Sequence, residues 1–155
     1  MGRGDDERWM REALAEARRA EEEDEVPIGC VVVWEDRVIG RGRNMVEALQ
    51  DPTAHAEIIA IGAAAGFLKS RRLTDCTMYV NIEPCPMCAG AIVLSRMARL
   101  VFGASDPKAG ACGSVTNIVE DKHLNHRINI TSGTLKEECA SIVSNYFKKK
   151  RPKNK

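Results

Sequence analysis

Apolar residues recur along the chain at two spacings, and these spacings predict where the helices and strands lie. Between Asp6 and Glu22 they return every three or four residues and leave Arg and Glu on the other face, as in an amphipathic helix. Runs of apolar and β-branched residues predict five strands, at 26–34, 37–43, 77–82, 100–104 and 127–131. Further helices are predicted at 53–65, from Cys85 or Pro86 to Leu94, at 114–121 and at 134–149.

Local chemistry sharpens some of these boundaries. Thr53 has the side chain of an N-cap and is expected to start the second helix, which Gly66 is expected to end. Residues 44–52 are polar and are expected to form a loop. The first predicted strand, 26–34, is apolar almost throughout, so we expect it to be buried on both faces of a sheet.

The order of the predicted elements indicates the fold class. Strands alternate with helices, without an internal repeat and without a linker long enough to divide the chain. Alternation of this kind is typical of an α/β fold with helices on both faces of the sheet. We therefore expect one domain over residues 1–155, built as three α/β/α layers around a central five-stranded sheet, with residues 148–155 as a basic tail.

Composition narrows the class of protein. Apolar residues make up 44% of the chain, which excludes a disordered protein. No apolar run approaches the roughly 20 residues of a membrane span, so no membrane partner is expected. The first residues are polar and acidic, and no export signal is expected. The six cysteines are therefore expected to be mostly buried free thiols in a reducing cytoplasm.

Charge is unevenly distributed. The formal net charge is only +1, but six of the eight residues at 148–155 are Lys or Arg. A basic end on an otherwise acidic chain suggests a polyanion that meets one edge of the protein. A solvated tail explains the same run equally well, so the run alone does not decide between them.

Three residues have the chemistry of metal ligands. Cys85 and Cys88 lie three apart at a predicted helix start, so both thiols point off one face, and His55 can supply a third ligand. A lone C-x-x-C also occurs in redox pairs, in halves of zinc ribbons and by chance. The chain has no second C-x-x-C to complete a four-cysteine site, and three ligands leave a fourth position open. The other cysteines, Cys30, Cys76, Cys112 and Cys139, are expected to pack in the interior.

Glu57 is the candidate acid and base, because it follows His55 by two residues. On a continuing helix that spacing would place the two side chains on opposite sides, so both can face one site only where the helix begins. His123 and His126 are further candidate ligands, but we expect them to make loop or substrate contacts.

The pattern H-x-E followed by P-C-x-x-C is the signature of zinc-dependent nucleobase deaminases. Around it the chain resembles the bacterial tRNA-specific adenosine deaminases in segments that run in the same order from about Trp9 to Phe147. These segments are EVPIG at 25–29, GRN at 42–44, DPTAHAE at 51–57, EPCPMCAGA at 83–91, VFGA at 101–104 and LNHR at 124–127.

The resemblance implies a cytidine deaminase-like fold with a mixed sheet, and a cytoplasmic homodimer that converts adenosine to inosine at the wobble position of a tRNA anticodon. It implies one Zn²⁺ per chain on His55, Cys85 and Cys88, with Glu57 as the proton shuttle. The substrate contacts that it implies are Asn44 and the backbone of Ala56 for the base, and Asp106, Lys108, Asn125, Phe147 and Arg151 for the anticodon loop.

Two positions and one loop depart from the family pattern and leave the fit of the substrate open. Asn81 stands where threonine is usual, Tyr146 where phenylalanine is common, and residues 45–50 match nothing. A deaminase of free guanine, cytosine or their nucleotides is the alternative enzyme. A non-catalytic, zinc-stabilised RNA-binding subunit is the third hypothesis, although such a subunit should lack Glu57.

Overall fold

A five-stranded sheet forms the centre of the chain. The computed structural model describes residues 3–124 and 126–150. The strands lie in the order β2-β1-β3-β4-β5, with β1 antiparallel to β2 and β3, and β4 parallel to β3 and β5. They are β1 (Gly29–Trp34), β2 (Arg37–Arg43), β3 (Thr77–Ile82), β4 (Arg99–Ala104) and β5 (Asn129–Ser132). The predicted mixed sheet of five strands is confirmed.

Helices cover both faces of this sheet and give the predicted three layers. They are α1 (Arg3–Glu22), α2 (Val46–Leu49), α3 (Ala56–Leu68), α4 (Pro86–Leu94) and α5 (Lys136–Lys150). One core contains residues of α3 and α4, and the other contains residues of α1 and α5. Alternate residues of β1 enter the two cores, with Val32 in the first and Val31 in the second, as expected for a strand buried on both faces. In the described ranges, none of the helices is both long and apolar enough to cross a membrane.

Two glycines in β2 set the distance between α3 and the sheet. A Cβ atom at Gly40 or Gly42 would collide with the α3 backbone, at Ala60 and at Ala56 respectively. Only a strand without these side chains lets the helix lie so close. The first turn of α3 is therefore held directly against the end of β2.

The predicted boundaries of α3 are wrong at both ends. His55, and not Thr53, is the N-cap, because the hydroxyl and the backbone N–H of Thr53 both donate to the Asp51 carboxylate, at 2.7 and 2.9 Å. Gly66 lies inside the helix, which continues to Leu68 and ends where Lys69 adopts a left-handed conformation. The N-cap thus lies two residues later than predicted, and the last helical residue lies three residues later.

Other predicted elements also need correction. The expected loop at 44–52 contains the short helix α2, whose first N–H groups, at Glu47 and Ala48, donate to the buried carboxylate of Glu25. This cap comes from a distant residue, so local propensity does not reveal it. The helix predicted at 114–121 is absent from the structure, where these described residues form turns. The first residues of β1, β5, α1 and α5 differ from the predicted ones by two or three positions.

A buried ion pair joins the start of α1 to the middle of the sheet. Both oxygens of Asp6 accept hydrogen bonds from Arg99, at 2.8 and 2.7 Å, and one accepts a bond from the hydroxyl of Tyr79, at 2.9 Å. Burial raises the pKa of the Asp6 carboxyl, but the bonds from Arg99 and Tyr79 outweigh burial and hold that pKa below its ordinary value. The pair therefore favours the folded state whenever Asp6 is ionised.

We expect Asp6→Asn to lower the free energy of unfolding by about 2–4 kcal/mol at pH 7, because it leaves a partly buried guanidinium without its charge partner. The folded pKa of Asp6 is lowered, so its contribution is complete above its ordinary value of 3.8 and is lost as the pH falls through the folded pKa. Urea denaturation should thus show a difference from wild type that shrinks below about pH 4. The exposed Asp75→Asn is the control, with an expected change under about 0.5 kcal/mol. A difference that does not depend on pH would contradict this role.

Candidate active site

The three predicted metal ligands lie together at the edge of the sheet where β3 ends. The Nδ1 atom of His55 is 3.6 Å from the Sγ atom of Cys85 and 3.5 Å from that of Cys88. All three ligand atoms lie within 4.8 Å of one another. One imidazole and two thiols at these distances could hold a single metal ion.

Two helix N-termini converge on this cluster. His55 is the N-cap of α3, and Cys85 is the N-cap of α4, where Pro86 occupies the first helical position. Cys88 lies about one turn further along α4, so its sulfur returns to the same side. Unpaired N–H groups give a helix N-terminus a partial positive charge, which favours thiolates there. The backbone thus contributes to the electrostatics of the cluster.

The two thiols are coupled through a hydrogen bond. The bond from Cys88 lowers the pKa of the Cys85 thiol to about 5, and the same bond, together with burial, raises the pKa of Cys88. Cys85 is therefore the more acidic of the two thiols. Thiolate sulfur and neutral imidazole nitrogen are soft and borderline donors, which fit a metal such as zinc.

Glu57 is buried beside the ligands, with only 4% of its surface exposed. It is the second residue of α3, and His55 is the N-cap of the same helix. At a helix start both side chains can face one site, as the spacing of the two residues requires. Burial raises the pKa of its carboxyl to about 7. A carboxyl in this position can accept and release a proton near neutral pH.

Asn44 and Ala56 lie on the β2 side of the cluster. Asn44 directly follows β2 and is buried, with its side-chain N–H group 3.4 Å from the carbonyl oxygen of Val26. Its side-chain oxygen is also buried and has no hydrogen-bond partner among the described residues. A buried acceptor of this kind is costly unless a further molecule supplies a donor. Ala56 is the first residue of α3 and is fully buried.

Three of the predicted RNA contacts line one groove between α5 and the loop that follows β4. Asp106, Lys108 and Phe147 border this groove, which has a volume of about 580 Å³. Phe147 is 47% exposed, so its ring is available for stacking. The Asp106 carboxylate accepts bonds from the backbone N–H groups of Lys108 and Ala109, at 3.0 and 3.2 Å, and so shapes the turn. The predicted contacts Asn125 and Arg151 lie outside the described residues.

Glu83 is a residue of this region that we did not single out from the sequence. It is buried just before Pro84, and its carboxylate accepts hydrogen bonds from the backbone of Asp106, Cys112 and Ser114, each at 3.0 Å, and from the Ser114 hydroxyl. Burial raises the pKa of Glu83, but these bonds outweigh it and lower the pKa overall. An acidic residue at the end of an apolar strand was the available signal, because a buried carboxylate needs such donors.

The two histidines outside the cluster make loop contacts, as expected. A ring nitrogen of His126 lies 2.8 Å from the carbonyl oxygen of Met97, and a ring nitrogen of His123 lies 3.1 Å from the Asp121 carboxylate. All six cysteines are free, and the four outside the cluster are buried. Their pKa values are raised, mainly by burial, so they are inert packing thiols.

The structure explains the two single residues that depart from the family pattern, Asn81 and Tyr146. Asn81 is fully buried, donates to the carbonyl oxygen of Pro27 and accepts from the N–H group of Gly29, both at 2.9 Å. It therefore holds the start of β1 against β3. The hydroxyl of Tyr146 donates to the carbonyl oxygen of Asp24 at 3.1 Å and ties α5 to the end of α1.

Comparison with known proteins identifies the class first. The family model of MafB19-like deaminases matches residues 4–151, so the chain belongs to a deaminase family. The tRNA-specific adenosine deaminase of Bacillus subtilis is 47% identical over 150 residues, which cover 97% of this chain and 93% of that protein. The enzyme of the same name from Haemophilus influenzae is 49% identical over 151 residues, covering 97% and 87%.

The solved structures agree with the sequence relatives. One, from a study of A-to-I editing by tRNA:A34 deaminases at the wobble position of transfer RNA, has a TM-score of 0.81 and 46% identity over 84% of this chain and 94% of that one. A guanine deaminase from Nitrosomonas europaea shares the fold, with a TM-score of 0.78 but only 24% identity. The chain belongs to the tRNA-specific adenosine deaminase family, as its sequence predicted.

Proposed function

We propose that the protein hydrolyses adenosine to inosine at the wobble position of a tRNA anticodon and releases ammonia. The observation that carries this proposal is identity of 47–49%, over nearly the whole chain, to enzymes named for that activity on tRNA. The protein's own residues support it, because a His-Cys-Cys cluster and a buried glutamate meet beside a groove with an exposed aromatic ring.

His55, Cys85 and Cys88 would hold one zinc ion per chain. The donor set fits zinc, with one imidazole nitrogen and two sulfurs within 4.8 Å. When bound, zinc supplies Lewis-acid activation of the attacking water. The two helix N-termini and the hydrogen bond between the thiols favour the ionised sulfur that such an ion requires.

Glu57 would move the protons of the reaction. Water adds to the carbon that bears the amino group, and both of its protons must move, one to the ring nitrogen and one to the departing amine. Glu57 is the buried carboxyl at the start of α3, next to His55, and its place there excludes bulk water from the transfer. The balance is adenosine and water in, inosine and ammonia out.

The target base must leave the anticodon stack to reach the cluster. Asn44 would bond the flipped nucleoside through its buried side-chain oxygen, and the backbone of Ala56 would hold the purine. Phe147 would stack on a neighbouring base, and Lys108 would meet a phosphate. Asp106 uses one oxygen within its own turn, and its second oxygen is the candidate acceptor for a ribose 2′-hydroxyl. By family resemblance Asn125 and Arg151 would also contact the anticodon loop.

The competing functions are less well supported. A deaminase of free bases has no need of the exposed Phe147 or of the lysines at its groove, Lys108 and Lys148. The guanine deaminase that shares the fold is only 24% identical. A non-catalytic RNA-binding subunit would not retain a carboxyl as deeply buried as Glu57.

We also propose a cytoplasmic homodimer. Free thiols at all six cysteines suit a reducing compartment. The outer face of α4 is apolar and exposed, with Met87 at its start and Leu94, 80% exposed, at its end. Gly90 and Ala91 lie between them on that face and would let a second copy approach closely. An apolar helix face of this kind is typical of a protein interface.

Glu57→Ala should reduce inosine formation on a synthetic anticodon stem-loop by about a thousandfold, because the proton shuttle is lost. The product is measured by nucleoside chromatography at matched zinc content. Glu22→Ala, which removes an exposed glutamate at the end of α1, is the control and should retain full activity. If folded, zinc-loaded wild type forms no inosine but releases ammonia from guanine or cytosine, the protein is a free-base deaminase.

Purified protein should contain about one zinc per chain by elemental analysis, and Cys88→Ala should retain less than about a tenth of it. Cys139→Ala is the matched control, because it removes a buried thiol from the opposite core and should leave the zinc content unchanged. Equal zinc in the two variants would rule out the cluster as the binding site.

Leu94→Glu should convert a dimer into a monomer of 17.1 kDa in sedimentation equilibrium, because a charge would be buried at the interface. Phe67→Glu alters an equally apolar residue, 50% exposed on α3, and should leave the dimer intact. A wild-type protein that sediments as a monomer would overturn the proposed interface.

A further inference from the structure

The Glu83 carboxylate lies at the centre of the loop 105–114, which follows β4. Four donors from this loop converge on its two oxygens, three from backbone N–H groups and one from the hydroxyl of Ser114. An ionised carboxylate has about four acceptor positions, so the donors match its full capacity. Glu83 is 3% exposed, and water cannot replace these bonds without opening the loop.

The backbone closes around the same residue. The N–H group of Glu83 donates to the carbonyl oxygen of Ala104, and the N–H group of Ala111 donates to that of Pro84, both at 2.9 Å. A side chain at Gly110 would collide with the Glu83 carboxyl, so the loop passes directly over it. Ala111 and Cys112 pack in the core, but six of the ten loop residues are exposed and have no such packing. Hydrogen bonds to this one carboxylate therefore hold both ends of the loop, at Asp106 and at Ser114.

Glu83 also connects the two parts of the candidate site. On one side it lies two residues before Cys85, in the segment that leads into α4. On the other side it holds the N–H group of Asp106, whose own carboxylate then orients the turn that carries Lys108. The Glu83 side chain thus links the groove to the segment that carries the metal ligands.

We propose that Glu83 is a positioning residue, which holds the loop 105–114 so that Asp106 and Lys108 meet the RNA at the correct distance from the cluster. The proposal rests on the proposed function for the identity of the RNA. Glutamine is nearly the same shape, but it replaces one acceptor oxygen by an NH₂ group, which would face the donors of the loop. Glu83→Gln should therefore release the loop without emptying the core.

Two measurements test this role, with Asp6→Asn as the control for a lost buried carboxylate far from the loop. In Glu83→Gln, backbone amides of Asp106, Cys112 and Ser114 should exchange with solvent about a hundredfold faster in the RNA-free protein, because their acceptor is lost. On the anticodon stem-loop, KM should rise about tenfold while kcat stays within about twofold. Zinc content should not change. Asp6→Asn should leave KM, kcat and zinc content near those of wild type, and should speed amide exchange in the loop much less than Glu83→Gln does.

Specific results would overturn the proposal. Wild-type exchange rates in the loop of Glu83→Gln would show that the carboxylate does not hold it. A fall in kcat and zinc content at unchanged KM would assign Glu83 to the metal-ligand segment instead. If Glu83→Gln does not fold, Ser114→Ala removes one donor only and should raise both the loop exchange and KM about threefold. Wild type without activity on RNA would overturn the proposed function alone, since exchange is measured without substrate.

Discussion

The parallel pairing of β3 with β4 is the constraint on which the candidate site depends. Parallel neighbours end at the same edge of a sheet, so the chain leaves both strands on one side of the molecule. From β3 it leads into Pro84 and the metal-ligand pair, and from β4 into the loop that borders the groove. The crossover between the strands is α4, whose N-terminus must then lie at this edge.

The third ligand comes from a different part of the fold and needs a second constraint. α3 lies close to β2 because Gly40 and Gly42 leave room for its backbone. This contact brings the first turn of α3, with His55 and Glu57, to the N-terminus of α4. Two helix N-termini facing one point create a positive potential, which favours ionised thiols there.

Buried carboxylates organise the segments that have little apolar surface of their own. Asp6 joins α1 to β4 through Arg99, Glu25 caps α2, and Glu83 holds the loop after β4. Each accepts at least two hydrogen bonds, so the cost of burying its charge is offset locally. Substituting such a group therefore affects a whole segment, whereas a change in the packed core affects mainly its neighbours.

The strand pattern, the family and the types of residue in the cluster could all be predicted from the amino-acid sequence. β2 and β3 begin and end where they were predicted, and His55, Glu57, Cys85 and Cys88 are recognisable by type and by short spacing. These signals are local, because strand alternation and helix-start geometry repeat within a few residues.

Contacts between residues that lie far apart along the chain are visible only in the folded structure. The cap that Glu25 provides for α2, the turns at 114–121 and the bonds from the loop to Glu83 depend on partners that local sequence does not specify. A hydrogen bond between residues more than twenty positions apart leaves no periodic pattern in the chain. It forms because the sheet brings its two partners together, and the sheet exists only once the whole core has packed.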